Sequence, residues 1–305
     1  FKSELQLLDS VKTIKIKAPN PKGLTKFSYI IKTGGRGGVN RLEVFVNPPE
    51  ANVPENFYEN NIFSVNFEVI PDKSNPILEV AFDGKKILDG EIVTPNPLIM
   101  VQLRDDNPFA SPKDPSNLTL KLKRPCQTCT FEDINLNNSE WSVENGVLKV
   151  NYKLLDLPNG VYALNVQGED AFRNKSGLDH IIHFEVVRES SVTNFFPYPN
   201  PFSTNTRFVF TLTGAEVPDE IKIQILTVSG KVVREITQAE LGVIRIGQNL
   251  TEYAWDGTDE FGDKLANGVY LYRVVMRQNG KIIEQRATSA DKAFKNGLGK
   301  LYIAR

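Results

Sequence analysis

Nucleophilic and metal chemistry has little to draw on in this sequence. Its 305 residues include two cysteines, Cys126 and Cys129, and two histidines, His180 and His183. A cysteine peptidase needs a Cys and a His brought together on a nucleophile turn, and no strand-to-helix context surrounds either cysteine. No catalytic residue and no cofactor are therefore expected in this chain. The histidines sit in "DHIIHFEVV", which reads as a strand, so residues three apart point to opposite faces and make a poor half of a zinc site. A lone C-x-x-C such as "RPCQTCT" suits half a zinc site, a redox motif or a local disulfide. A redox motif usually opens a helix, and no helix is readable here. That leaves Cys126 and Cys129 as a disulfide candidate or a pair of free thiols, without metal. Charge of one sign is also missing: 36 basic residues meet 37 acidic ones, so there is no general field for nucleic acid or a membrane surface. No apolar run approaches a membrane span. The sequence begins with Phe and no signal peptide precedes it, so the expectation is a piece of a longer protein.

Period-two alternation fills the chain instead. In "NIFSVNFEVI", Phe63, Val65, Phe67 and Val69 share one face, and Ser64, Asn66 and Glu68 the other. In "EIKIQIL", Ile221, Ile223 and Ile225 alternate with Lys222 and Gln224. Short β-branched and aromatic runs between Gly, Pro, Asn and Asp turns predict antiparallel sandwiches. Two proline-marked stretches, "PDKSNP" (Pro71–Pro76) and "RESSVTNFFPYPNPF" (Arg188–Phe202), read as linkers or domain-entry segments, because proline lacks a ladder donor and fixes φ. They divide the chain into 1–70, 72–188 and 194–305. The first part has too few strands for a complete sandwich, and its opening strands are expected upstream of Phe1.

The stretch "WDGTDEFGDKLANGVYLYRVV" (Trp255–Val275) is rich in acid and glycine. Counted as a calcium loop from Asp256, it places Phe261 where glycine is required and Asn267 where the closing carboxylate should be. It reads as two tight turns, at Asp256-Gly257 and Gly262-Asp263, followed by a core strand. "LANGVYLYRVV" echoes "LPNGVYALNVQ" earlier in the chain, with Asn267-Gly268 matching Asn159-Gly160. The repeat suggests two domains of one architecture. "GEDAFRNKSG" (Gly168–Gly177) offers Asp170 and Asn174 oxygens to calcium, although its composition also fits a polar hairpin. The carboxylate pairs Asp105-Asp106 and Glu169-Asp170 fall beside turn signals and read as solvated loop charge. "TGGRGG" (Thr33–Gly38) lacks the Lys-Ser/Thr of a phosphate loop and reads as a hairpin. The tryptophans, Trp141 and Trp255, are expected in cores.

Four stretches taken together resemble a known assembly. "YPNPF" opens the last part, "VSGKVVREI" follows a strand, and "WDGTDEFGDKLANGVYLYRV" precedes the terminal "GLGKLYIAR". This order resembles the immunoglobulin-like C-terminal sorting domain of type IX secretion cargo, and is similar to the Ig-like part of flagellar hook-capping (FlgD) proteins. "NRLEVFVNPPEANVPENFYENN" resembles the end of an adhesion-type (CARDB-like) module. "NPILEVAFDGKKILDGEIVTPNPLIMVQLRDDN" resembles the middle module of gingipain-type cysteine peptidase surface proteins, including PorU-like sortases. The resemblance implies an all-β chain of three consecutive antiparallel immunoglobulin-like β-sandwich domains, the first incomplete. It also implies a peptidase domain upstream in the parent protein, none of whose catalytic residues falls on this chain. Export to the cell surface follows, with the type IX translocon and a PorV-like outer-membrane shuttle barrel as partners. Asp256, Gly257, Asp259, Gly262, Asn267, Gly268, Lys300, Leu301, Tyr302 and Ile303 become the partner-binding candidates, engaged by strand addition or loop docking. An adhesin or glycan-binding stalk is the alternative, favoured by exposed aromatic pairs or a filled calcium site.

Overall fold

Alternation becomes strand almost throughout the computed structural model, which describes residues 11–16, 23–31, 33, 36–47, 54, 56–283 and 297–305. The fold is nearly all β, with several antiparallel sheets. The chain forms two compact units, residues 1–71 and 72–305.

In the first unit, β1 (Gly38–Phe45) and β2 (Ile62–Val69) pair antiparallel, with Gly38 opposite Val69 and Phe45 opposite Ile62. The predicted apolar face is present but not buried: Phe63 is 60% and Val65 40% exposed. The period set the strand, and burial needs a second layer that this pair alone does not supply. Of the "TGGRGG" stretch, Gly34 and Gly35 lie outside the described residues.

The second unit holds two separate cores. The first is built from β3 (Ile77–Phe82), β4 (Glu91–Val93), β5 (Leu98–Arg104), β6 (Leu118–Lys123), β7 (Glu132–Asp133), β8 (Glu140–Glu144), β9 (Val147–Lys153), β10 (Gly160–Gly168) and β11 (His180–Val186). One sheet runs β3-β5-β9-β8 and the other β4-β11-β10-β6-β7. All these pairs are antiparallel except β4 with β11, which is parallel. Ile99, Leu103, Leu148, Val150, Leu164 and Phe184 fill the space between the sheets, as alternating inward residues of a sandwich do.

The second core uses β12 (Ser191–Tyr198), β13 (Arg207–Thr213), β14 (Glu220–Leu226), β15 (Val232–Ile236), a short helix α1 (Gln238–Leu241), β16 (Gly247–Leu250), β17 (Gly268–Gln278), β18 (Lys281–Ile282) and β19 (Gly299–Ile303). Its sheets are β12-β13-β16 and β15-β14-β17-β18, with β19 also on β17. Phe195, Phe208, Phe210 and Tyr272 cluster between them at centroid distances of 5.3–6.1 Å.

Residues 191–198, in the stretch read from sequence as linker or domain entry, are strand β12, and Val192 and Phe195 are buried in the core. Pro197 is compatible with a strand here because β12 lies at a sheet edge, where a missing donor costs little. The two sandwiches also touch along β4 and β16. Glu91 accepts from Lys85 Nζ at 2.9 Å and from the Gln248 N–H at 3.2 Å.

Candidate functional site

The Trp255–Gly268 stretch folds as turns anchored by its own aspartates. Asp256 Oδ1 accepts from the Thr258 N–H (3.2 Å) and hydroxyl (2.7 Å). Asp259 Oδ1 accepts from the N–H groups of Phe261 (2.9 Å) and Asp263 (3.0 Å). Gly257 and Gly262 adopt φ of +79° and +87°, which disfavours any side chain. Trp255 is fully buried, donates to the Thr258 carbonyl at 2.8 Å and packs on Phe202.

The terminal strand β19 completes the sheet. It pairs with β17, placing Ile303 opposite Gly268 and Gly299 opposite Tyr272. Gly299 is required by close approach, since a Cβ there would meet the Tyr272 ring at 2.3 Å. Alternation then sorts the tail. Leu301 and Ile303 are 0% and 3% exposed, whereas Lys300 and Tyr302 face out. Leu301 and Ile303 are thus core residues, closed to a partner while the domain is folded, and this corrects their place among the partner candidates.

A free edge on β19 would invite another strand, but this one is occupied. Asn200 Nδ2 donates to the Lys300 carbonyl (3.0 Å), and its Oδ1 accepts from the Tyr302 N–H (2.9 Å). The Phe202 N–H donates to the Tyr302 carbonyl (3.0 Å), and the Ala304 N–H donates to the Phe202 carbonyl (2.9 Å). The Pro-Asn-Pro-Phe segment therefore does for β19 what a neighbouring strand would do. Strand addition here requires its displacement.

The internal repeat is a shared clamp. In the middle sandwich, Tyr162 donates to the Pro158 carbonyl (2.9 Å), and in the last, Tyr270 donates to the Ala266 carbonyl (3.0 Å). Asn159 Oδ1 accepts from the Arg188 N–H, and Asn267 Oδ1 from the Arg305 N–H. Each arginine turns back onto the leucine of its repeat, Arg188 on the Leu157 carbonyl and Arg305 on that of Leu265. Arg305 reaches further, to the carbonyls of Asp256 (2.7 Å) and Gly257 (3.2 Å). A Cβ on Gly257 would meet that guanidinium at 2.4 Å. Asn267, Gly268, Asp256 and Gly257 thus form one structure with the terminal residue. Sequence reading missed Asn200 and Arg305, whose partners lie 38 or more residues away along the chain.

Cys126 and Cys129 are joined as a disulfide on the surface. His180 and His183 are both exposed on β11, and His183 Nδ1 lies 3.0 Å from Asp89. Trp141 departs from expectation. It is 51% exposed on β8, because β8 is the edge strand of its sheet and Trp141, opposite the buried Val150, lies on the inner face where the sandwich opens into a cleft.

Residues 200–280 match the FlgD Ig-like domain family. The match lies on the last sandwich, whose two sheets and shared Tyr–carbonyl bond suit that architecture. No curated protein matches the chain. Among solved structures, similarity extends to dimeric latent PorU from Porphyromonas gingivalis, at 21% identity and a TM-score of 0.31, covering 78% of this chain and 21% of PorU. A biofilm-associated protein BSP domain is 14% identical with a TM-score of 0.23, over 72% of this chain and 30% of that one. The FN1–FN3 domains of chicken CNTN1 are 9% identical with a TM-score of 0.24, over 79% of this chain and 71% of that one. The chain thus spans about a fifth of the length of PorU.

Proposed function

We propose that this chain is a non-catalytic surface segment of a type IX secreted protein, and that its last sandwich is the sorting and docking module. The translocon and a PorV-like shuttle barrel are the partners. One observation carries the reading: the terminal strand is finished on both edges, so recognition falls to the outer side chains of a completed sandwich. Lys300 and Tyr302 on β19, beside Val269 on β17, form that face. Phe261, 91% exposed in the Asp259–Asp263 turn, is a further apolar contact. Asn267, Gly268, Asp256 and Gly257 hold the surface in shape and are not themselves its reading heads. The absence of peptidase activity in this chain is part of the proposal. It is supported by the disulfide, which leaves neither cysteine as a free nucleophile.

The test is a reporter fused ahead of the full chain and followed to the cell surface. Deletion of 297–305 is expected to abolish surface delivery. The Lys300→Glu/Tyr302→Ala double variant changes only outward side chains, and it is expected to reduce delivery while leaving the thermal midpoint unchanged. Wild-type delivery by both variants would overturn the reading.

A second reading is favoured by Trp141, which lines an open cleft of about 690 Å³ with Asp114, Asp133, Asn135 and Asn137. A half-exposed indole beside amide and carboxylate groups suits a sugar ring, and an adhesin or glycan-binding stalk would use it. Binding of glycans that is lost in Trp141→Ala is the distinguishing result.

A further inference from the structure

The hairpin between β10 and β11 contains Asp170, only 2% exposed. Its Oδ1 accepts from the N–H groups of Phe172 (2.7 Å) and Asn174 (2.8 Å), and its Oδ2 from Asn174 Nδ2 (2.7 Å). Two more carboxylates come to the same place from distant parts of the chain. Asp105 follows β5, and Asp72 begins the second unit. Asp72 Oδ1 accepts from the Ser74 N–H and its Oδ2 from Asn107 Nδ2, while its carbonyl accepts from Asn174 Nδ2 at 3.2 Å. One oxygen from each of Asp72, Asp105 and Asp170 lies within 4.8 Å of the other two. None of the three is fully exposed, so the solvated loop charge expected at Asp105 and Asp170 is not what the fold makes.

The second observation concerns Asp105 alone. Its Oδ1 accepts from the Asn107 N–H at 2.7 Å. Its Oδ2 is shut away from solvent and has no hydrogen-bond partner, the only such side-chain atom among the described residues. A buried acceptor without a donor carries the full cost of its desolvation. One oxygen of Asp105 also stands within 4.8 Å of the two other carboxylates, a crowding of negative charge that a cation would answer.

We propose that Asp72, Asp105 and Asp170 form a divalent-cation site, with Asp105 Oδ2 as the oxygen left for the ion. Three oxygens no farther apart than this fit a sphere of at most about 2.8 Å radius, close to the 2.3–2.6 Å of calcium–oxygen bonds. The donor set is all oxygen, which suits calcium over zinc or copper. Three carboxylates from irregular loops, with water completing the shell, suit the adaptable geometry of calcium better than the strict octahedron of magnesium. The ion would fasten the segment leading into the middle sandwich to the β5–β6 loop and the β10–β11 hairpin. Sequence pointed to Asp170 and Asn174 only. In the fold, Asn174 positions Asp170 and Asp72, and the other two carboxylates lie 65 and 98 residues upstream of Asp170.

The experiment uses the full chain stripped with EDTA and titrated with calcium chloride, with binding heat and thermal midpoint as readouts. Saturable binding near one ion per chain and a midpoint raised by a few degrees are expected, since a ligand of the folded state stabilises by mass action. Magnesium at equal concentration should shift the midpoint less. Asp105→Asn keeps the Oδ1 acceptor and is expected to weaken calcium binding at least tenfold, with a calcium-free midpoint no lower than that of the parent. Asp106→Asn, on the exposed neighbour, should leave binding unchanged. The proposal is overturned if the parent chain shows no saturable calcium binding, or if calcium, magnesium and sodium chloride of matched ionic strength shift the midpoint equally. It is overturned as well if Asp105→Asn raises the midpoint and calcium leaves that of the parent unchanged, because the crowded carboxylates then hold no ion.

Discussion

Single residues settle what the last sandwich can offer a partner. Asn200 substitutes for a strand by meeting a carbonyl and an N–H of β19 with one amide. Asn200→Ala should leave both groups unpartnered at a sheet edge. The expected cost is about 1–3 kcal/mol, with concentration-dependent self-association through the opened edge. Urea unfolding and light scattering measure the two effects, and a monomeric variant of parental stability would remove Asn200 from this role. Arg305 is the other such residue. It joins the loop of Asp256 and Gly257 to the chain end through backbone carbonyls. None of its guanidinium's partners is identifiable from sequence, because a carbonyl carries no residue signature.

At the scale of elements, β19 is both core and surface. Its alternation was legible in "GKLYI", and the structure keeps it: Leu301 and Ile303 inward, Lys300 and Tyr302 outward. Ile303→Ala should cost about 2–5 kcal/mol, the usual range for truncating a buried aliphatic chain. Denaturant midpoints of the purified chain test this. A loss well below that range would mean that β19 is not packed as described. The repeated Asn-Gly-Val-Tyr element was legible too, as a turn before a strand. Its clamp on the arginine after the last strand of each sandwich was not, because that contact spans 29 residues in one copy and 38 in the other. Residues 191–198 were less legible. Local proline content argued for a linker or domain entry, and burial of Val192 and Phe195 made an edge strand.

For the whole molecule, the contact between the two sandwiches of the second unit matters most. Burial pushes the Glu91 carboxyl up from its ordinary 4.5. Hydrogen bonds from the Leu88 N–H, Lys85 and the Gln248 N–H outweigh this and hold it low. A carboxyl lowered in the folded state adds stability above its unfolded value and loses it as pH falls through the folded one. The Lys85–Glu91–Gln248 contact should therefore be intact at pH 7 and weaken in acid, below about pH 4.5. Glu91→Gln is expected to cost about 1–3 kcal/mol at pH 7, and the gap to the parent should narrow as pH falls below 4.5. Thermal midpoints of both proteins across that range are the measurement, and a gap independent of pH would contradict the assignment.

By itself the sequence determined the all-β class, most strand positions, the turns of the Trp255–Gly268 stretch and the sides on which the tail residues lie. These depend on period and turn chemistry, which are local. Tertiary structure alone decided that Trp141 is exposed and Trp255 buried, that Asn200 closes the edge of β19, that Arg305 binds the loops, and that Asp72, Asp105 and Asp170 converge. Each of these is a meeting of segments far apart in the chain. The alternating pattern tells which way a side chain points from its strand, but not which strand, loop or charge will be there to meet it.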